Sequence, residues 1–528
     1  MWLVVIMSVM LAKTVSAGWN NTIYYKVLVD SFKDSDGDGL GDLIGATKQL
    51  SYIGAVGADA VILSPINAKS PDCDHPGTVG FTEIDQRYGD EDSLTKLIEK
   101  SRKLDLKMLV SVDVRSISTL SECFNLSAAR TLGFEDWVLW QDTPADPKLD
   151  GVDWVWNDIR NSYYASINNE TLLNLCSDGV TEAFRRAQCI WLQRGFAGLV
   201  LSPDFTINHE CGVNFVQKMA VYARSCTRAA NIEKPIILID TAFEIETASK
   251  YYDDSVTIIS NALTGPVRTS PSLAVALHTE LVYCPQDMTP TWRTSNSENR
   301  IFSRYGSAFV DAIIIISLFL PGSTIIQQGD ELGAADTLLE WATTNKCWPI
   351  LARPFAAPFP WDDSPSAGFT SGESWLTLAP NYRYANAKIE FANEQSHFGV
   401  VRAVAVLRKS PDFGPHYEIK RIDDALVILR WGAIGSLLMV SNLGQRNCEI
   451  QLSKIPGLPN EMTAAVSSGG SSSSTGVNIN MNKLLKLVPG ETILMAGPPR
   501  HCGGPGPVDK IANKLSEGWQ KINKYFSV

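Results

Sequence analysis

The stretch WLQRGFAGLVLSPD, from Trp191 to Asp204, decides how the rest of the chain is read. Its apolar run Leu199-Val200-Leu201 is entered through Gly195 and Gly198 and stopped by Pro203, the pattern of a short parallel strand buried on both faces. A helical segment beginning at Asp178 leads into it. The same alternation recurs along the chain. Residues 46–66, ATKQLSYIGAVGADAVILSPI, and 92–112, DSLTKLIEKSRKLDLKMLVSV, each pass from helical spacing into a buried strand. Residues 234–252, KPIILIDTAFEIETASKYY, add a strand followed by a helix, and TIYYKVLVDSF at 22–32 reads as a first strand. Repeated units of this kind predict an α/β fold in which helices cover a parallel sheet.

The chain has 528 residues, of which 45% are apolar and 20% charged, so it can bury an extensive core. Length alone allows two to four domains, although α/β barrels run long as single units. A formal net charge of −11 argues against a nucleic-acid partner. Residues 1–17, MWLVVIMSVMLAKTVSA, form an apolar run closed by small residues at Val15-Ser16-Ala17, which reads as a signal peptide. A secreted, extracellular protein follows from it. The ten cysteines suit disulfides in that setting, with a pairing that spacing cannot deduce. Asn20, Asn125 and Asn169 each open an Asn-x-Ser/Thr acceptor for N-glycosylation.

From about Glu418 the pattern changes to short β-type runs, ALVILRW, SLLMVSNL and CEIQL, predicting a small antiparallel domain over 418–497. GGPGP at 503–507 then breaks the chain, and residues 498–528 read as a hinge followed by an amphipathic helix. Within 508–528, Ile511, Leu515, Trp519, Ile522 and Phe526 recur at helical spacing beside Lys510, Lys514, Lys521 and Lys524. Such a segment either folds back onto the protein or touches a membrane surface or a partner groove.

Near the start of the chain, DSDGDGLGDLIG at 34–45 sets Asp34, Asp36, Asp38 and Asp42 among glycines. Carboxylates spaced by two in a glycine-rich loop can converge on one hard cation, with a carbonyl near Leu40 as a further oxygen. The twelfth position is Gly45 where an EF-hand requires a bidentate Glu, so this is a different kind of calcium loop.

These phrases resemble the α-amylase superfamily, glycoside hydrolase family 13, and within it the maltase or α-glucosidase type of insects. WLQRGFAGLVLSPD is similar to the maltase phrase WLDKGVDGFRIDAV, the acidic loop to D-S-N-G-D-G-I-G-D, and RPFAAPFPWDDSPSAGF at 353–369 to R-T-P-F-Q-W-D-x-S-x-x-A-G-F. The resemblance covers about residues 18–497. It implies a (β/α)8 TIM barrel over 18–417, a second domain inserted at about 116–174, a C-terminal β domain, and structural Ca2+ held by Asp34, Asp36, Asp38, Leu40 and Asp42.

The same resemblance exposes what is missing. Aligned without a gap, the family's Arg falls on Val200 and its nucleophilic Asp on Ser202. A retaining glycosidase needs two carboxylates about 5 Å apart, and a serine hydroxyl without an adjacent base does not replace one. Asp204 lies two residues further along, a shift of roughly 6.6 Å on an extended chain. The general-acid Glu corresponds to Asp240, one methylene shorter, and the motif G-N-H-D corresponds to SNSE, with Asn296 kept, Ser297 for His and Glu298 for Asp. Around Asp113 the third motif has lost its His, whichever way LKMLVSVDVRSIS is aligned. The six histidines fall in no metal-ligand spacing. Loss across all four motifs beside an intact barrel and calcium loop predicts a protein without glycosidase activity that binds a carbohydrate or a protein. The competing expectation is an active α-glucosidase with a site rebuilt from Asp204, Asp240 and Glu298.

Overall fold

Tyr24 and Lys26 face one way along the first strand and Ile23, Tyr25 and Val27 the other, and this alternation gives the sheet one face toward the lumen and one toward the helices. Eight parallel strands form a barrel in the computed structural model: β1 (Ile23–Val27), β2 (Ala60–Leu63), β3 (Lys107–Val112), β4 (Gly198–Leu201), β5 (Ile236–Ile239), β6 (Val256–Ser260), β7 (Thr291–Arg293) and β8 (Ser323–Gln327). Neighbours in the barrel are neighbours in sequence, and β1 closes it by pairing with both β2 and β8. The structure describes residues 19–143, 151–203, 209–228, 234–265, 269–296, 298–341, 353–410, 413–471 and 474–499. Residues 1–17, read above as a signal peptide, Asp204, Ser297 and the segment 508–528 lie outside them.

Inward-facing Tyr24, Ile62, Leu109, Val200, Leu238, Ile259 and Ile325 pack together as a core of their own. The outward faces of the strands join a second, larger core with the surrounding helices. Filling the lumen with side chains makes it a packed interior and leaves any chemistry to the C-terminal rim of the strands. The strand read from Leu199-Val200-Leu201 is therefore central. Val200 pairs in register with Ser111 on β3 and Leu238 on β5.

Helices α1 (Asp178–Gln193) and α2 (His209–Arg228) flank β4, and the disulfides Cys176–Cys211 and Cys189–Cys226 staple them to one another. Between β3 and α1, residues 116–172 carry a five-stranded antiparallel sheet; Asn125 is exposed on the short helix Glu122–Ala128 and Asn169 in the turn before the strand Glu170–Leu172. A six-stranded antiparallel sheet follows the barrel, its first strand starting at His416, two residues ahead of the change in pattern at Glu418.

Helix α3 (Val310–Phe319) joins the two bodies. Every residue of it is buried, including Asp311. An apolar helix leaves its last carbonyls without water, and here two buried arginines satisfy them: Arg408 donates to Leu318, Leu320 and Gly322, and Arg430 donates to Phe319. At the other end Asp311 accepts from His397 Nδ1 at 2.6 Å and from the Gly469 amide at 2.6 Å. An acid at the N-terminus and cations at the C-terminus both oppose the helix dipole.

Beyond β8, Glu331 is fully buried and accepts from Tyr25 at 2.6 Å, Tyr52 at 2.8 Å and the Gly329 amide at 2.8 Å. Burial pushes its carboxyl from 4.5 up to about 7, against the pull of the two tyrosine hydrogen bonds. A carboxyl raised in the folded state contributes stability that is full below its unfolded value and is lost as pH rises through about 7. Between pH 5 and pH 8 the melting temperature of the wild type should therefore fall more steeply than that of Glu331→Gln, as thermal melts across that range will show.

Candidate functional site at the barrel mouth

Asp240, which the sequence resemblance aligns with a general acid, directly follows β5, and two cations meet it there. Arg293, at the end of β7, donates Nη1 to Asp240 Oδ1 at 2.7 Å, and Lys26 of β1 stands 3.9 Å from Oδ2. Arg293 also donates Nε to Asn261 Oδ1 at 2.9 Å, and Asn261 Nδ2 donates to the Thr241 carbonyl at 2.8 Å. The carboxylate, the guanidinium and the amide thus interlock across three consecutive strand ends, with the Lys26 ammonium close beside them. Val200 lies beneath them, 4% exposed.

Burial works to raise the Asp240 carboxyl, but the charges of Arg293 and Lys26 and the Arg293 hydrogen bond outweigh it and hold it below its ordinary value. Burial in turn lowers Lys26, with Asp240 opposing and Arg293 adding to the shift. A general acid in glycoside cleavage requires the reverse, a carboxyl raised enough to carry its proton near neutral pH. Space decides the same way. Lined by Lys26, Val200, Asp240, Ile259, Arg293 and Ser295 among others, the cavity at this point holds about 10 Å3. That is room for one water molecule, against roughly 300–1,000 Å3 for a small-ligand site.

The remaining sequence-predicted positions are scattered. Ser202 is half-buried just beyond β4, and Asp204 lies outside the described residues. Glu298 is exposed; its amide donates to Asn296 Oδ1 at 3.0 Å, and Asn296 Nδ2 donates to the Thr264 carbonyl at 3.3 Å. Asn296 therefore shapes a loop. Ser295 instead faces inward and donates to the buried Asp330 at 2.7 Å. After β3, Asp113 accepts from the Arg115 amide at 2.8 Å, while Ser116 donates to Glu170 of the inserted sheet. Sequence reasoning missed Lys26 and Arg293. Both are charged residues at the inward parity of barrel strands, and that signal was available once the strands were recognised.

The acidic loop is built as a cage. Asp34, Asp36 and Asp42 each place a carboxylate oxygen within 4.8 Å of the others. Asp38 stands outside this trio, its Oδ1 accepting from the Leu40 amide at 2.7 Å. Asp34 accepts from the amides of Asp36, Gly37 and Gly39 and from Thr370, the residue that follows the 353–369 phrase. Asp42 caps the helix Leu43–Val56 by accepting from the Gly45 amide at 2.8 Å. Gly39, at φ +92°, must be glycine twice over, since a Cβ there would lie 1.9 Å from the Glu373 carbonyl oxygen. Asp36 is lowered by the Asp38 amide, yet its carboxyl is raised overall, because desolvation and the charges of Asp38, Asp34 and Asp42 all act the other way. Mutually repelling carboxylates gathered on a rigid loop fit a hard cation.

A family model described as the catalytic domain of alpha amylase matches residues 26–210 and 241–413. The chain belongs to the alpha-amylase family. Among its relatives, Maltase 1 of Drosophila virilis is 26% identical over 523 residues, 85% of this chain and 82% of that protein. The alpha-glucosidase of Apis mellifera is 26% identical over 475 residues, covering 78% and 83%. Of solved structures, the alpha-glucosyl transfer enzyme XgtA is 22% identical with a TM-score of 0.77, covering 91% of this chain and 99% of its own. The trehalulose synthase MutB of Pseudomonas mesoacidophila is 20% identical with a TM-score of 0.76, covering 91% and 100%. At those identities the two structures support the barrel fold alone.

Among the described residues, Arg293 is the one that bonds both Asp240 and Asn261, so Arg293→Ala should cost about 2–3 kcal/mol of unfolding free energy. Lys26→Met should cost less, given its longer 3.9 Å separation. Chemical denaturation of the two variants beside the wild type measures the difference.

Proposed function

We propose that this alpha-amylase-family protein is secreted, is stabilised by calcium, and has given up glycoside hydrolysis for binding a carbohydrate or a protein. One observation carries the reading: above Val200 the Asp240 carboxylate is held by Arg293, and among the described residues the space they line is about 10 Å3. An ionised carboxylate bonded to a guanidinium is a poor proton donor, and with serine at 202 a second carboxylate is lacking from the aligned strand. The disulfides, the leader-like run 1–17 and relatives named as salivary alpha-glucosidases of Aedes aegypti and Anopheles gambiae support the extracellular setting. Asn20, Asn125 and Asn169 are all exposed, as glycosylation would require.

The relatives named as maltases favour a second reading, an active α-glucosidase working through Asp204, Asp240 and Glu298. Against it stand the ion pairs of Asp240 and the exposure of Glu298, which makes no bond to Asp240 among the described residues. Assay of the purified protein on maltose, sucrose and an aryl α-glucoside separates the two. No turnover above background is expected, whereas turnover that disappears in Asp240→Asn would establish the second reading.

For the acidic loop we propose Ca2+ held by Asp34, Asp36 and Asp42, with the Leu40 carbonyl as a further oxygen and Asp38 tightening the turn. A cation bound by the folded state alone stabilises it by mass action. Chelation should lower the melting temperature by several degrees, and Asp36→Asn combined with Asp38→Asn should remove that response. Elemental analysis of the purified protein should find about one calcium per chain.

A further inference from the structure

At the end of the barrel opposite the mouth, the beginnings of β5, β6, β7 and β8 surround a cavity of about 440 Å3. This lies within the range of small-ligand sites, in contrast to the filled mouth. Its walls include Trp19, Asn20, Lys234, Asp254, Asp287 and Met288. Trp19 is held firmly. Its ring stacks on Tyr24 at 6.2 Å with planes 9° apart, its Nε1 donates to the Lys234 carbonyl at 3.1 Å, and Lys107 Nζ lies 4.6 Å from the ring centroid. The Trp19 carbonyl accepts from Thr22 Oγ1 and from Ser323 Oγ, both at 2.8 Å, so the turn that carries Asn20 is tied to the barrel floor.

Asn20 is exposed and opens the acceptor Asn20-Asn21-Thr22. Its Oδ1 accepts from Thr289 Oγ1 at 3.4 Å, which orients the side chain by its oxygen and leaves Nδ2 for the linkage. Among the described residues, no hydrogen bond or ion pair engages the side-chain carboxylates of Asp254 and Asp287, which are exposed at the cavity rim. The neighbouring Lys234 Nζ donates to the Asp254 backbone carbonyl at 2.7 Å.

We infer that this cavity is the seat of the first sugar of a glycan attached to Asn20. Attachment replaces one Nδ2–H bond with an Nδ2–C1 bond. The C1–O bond to the lipid-pyrophosphate donor breaks, and the pyrophosphate leaves with its electron pair and takes up the amide proton. An N-acetylglucosamine ring tethered at Asn20 is positioned by its own covalent bond, so little further entropy is lost when it settles against Trp19 and Met288. Its hydroxyl and amide hydrogens find acceptors in Asp254 and Asp287. The sugar then closes the floor of the barrel. Asn125, on the short helix Glu122–Ala128, and Asn169, in the turn before the strand Glu170–Leu172, are exposed acceptors that line neither this cavity nor the one at the mouth, and they serve as internal references.

The inference rests on the secretory reading, and the test separates the two. Full-length protein made in cultured mammalian cells is treated, without denaturation, with peptide-N-glycosidase, which converts each released asparagine to aspartate. Mass spectrometry of the peptides gives a rate at each acceptor. Release at Asn20 should be at least tenfold slower than at Asn169 in the native protein, equal to it after denaturation, and accelerated in the native Asp254→Ala/Asp287→Ala variant. Glycans at Asn125 and Asn169 with none at Asn20, native release at Asn20 as fast as at Asn169, or a double variant without effect would each overturn the inference. Absence of glycan from all three acceptors would overturn the secretory reading along with it.

Discussion

Everything at the mouth of this barrel follows from the ion pair between Asp240 and Arg293, made between the ends of two strands over the side chain of Val200. In a hydrolase of this architecture the same spot holds charges that must stay unneutralised, because one carboxyl has to attack and another has to keep its proton. Here the carboxylate is paired, the guanidinium is shared with Asn261, and Lys26 stands 3.9 Å from the remaining carboxylate oxygen. Partners this complete lower the free energy of the folded chain. On the proposed reading they also take the place of the poised, unsatisfied groups on which catalysis depends.

The exchange is intelligible in terms of packing. A barrel lumen has to be filled, and Val200 extends the apolar layer of Ile62, Leu238, Ile259 and Ile325 up to the level of Asp240. With valine there, the charges of Lys26, Asp240 and Arg293 lie on a low-dielectric floor, where pairing is stronger than in water and an unpaired charge is costly. The scaffold beneath is unaffected. The staples between α1 and α2, the dipole-matched helix α3 and the glycine-lined acidic loop all hold the barrel together without reference to its mouth.

How much of this could be read from the sequence depends on the range of the interaction. The strand at Gly198–Leu201 and its neighbours were legible because burial on both faces writes a local apolar run, and the vacancies at 200 and 202 followed from a gapless match to a family phrase. The acidic loop was legible as carboxylates spaced by two, but its geometry was not: the turn directs Asp38 onto its own backbone and leaves Asp34, Asp36 and Asp42 as the trio. Lys26 and Arg293 were not legible as partners of Asp240. They lie 214 and 53 residues from it, and only closure of the barrel brings them within reach. The disulfide partners of Cys176 and Cys189 were hidden for the same reason.

The proposed closure of the mouth is tested most directly by calorimetric titration of the full-length protein, in buffer containing calcium, with an iminosugar that mimics the glucosyl cation. A working site in this family would bind such an analogue more tightly than substrate. A mouth filled by Val200, Asp240 and Arg293 predicts no saturable heat up to millimolar ligand. Saturable one-to-one binding that is lost in Asp240→Asn would contradict it.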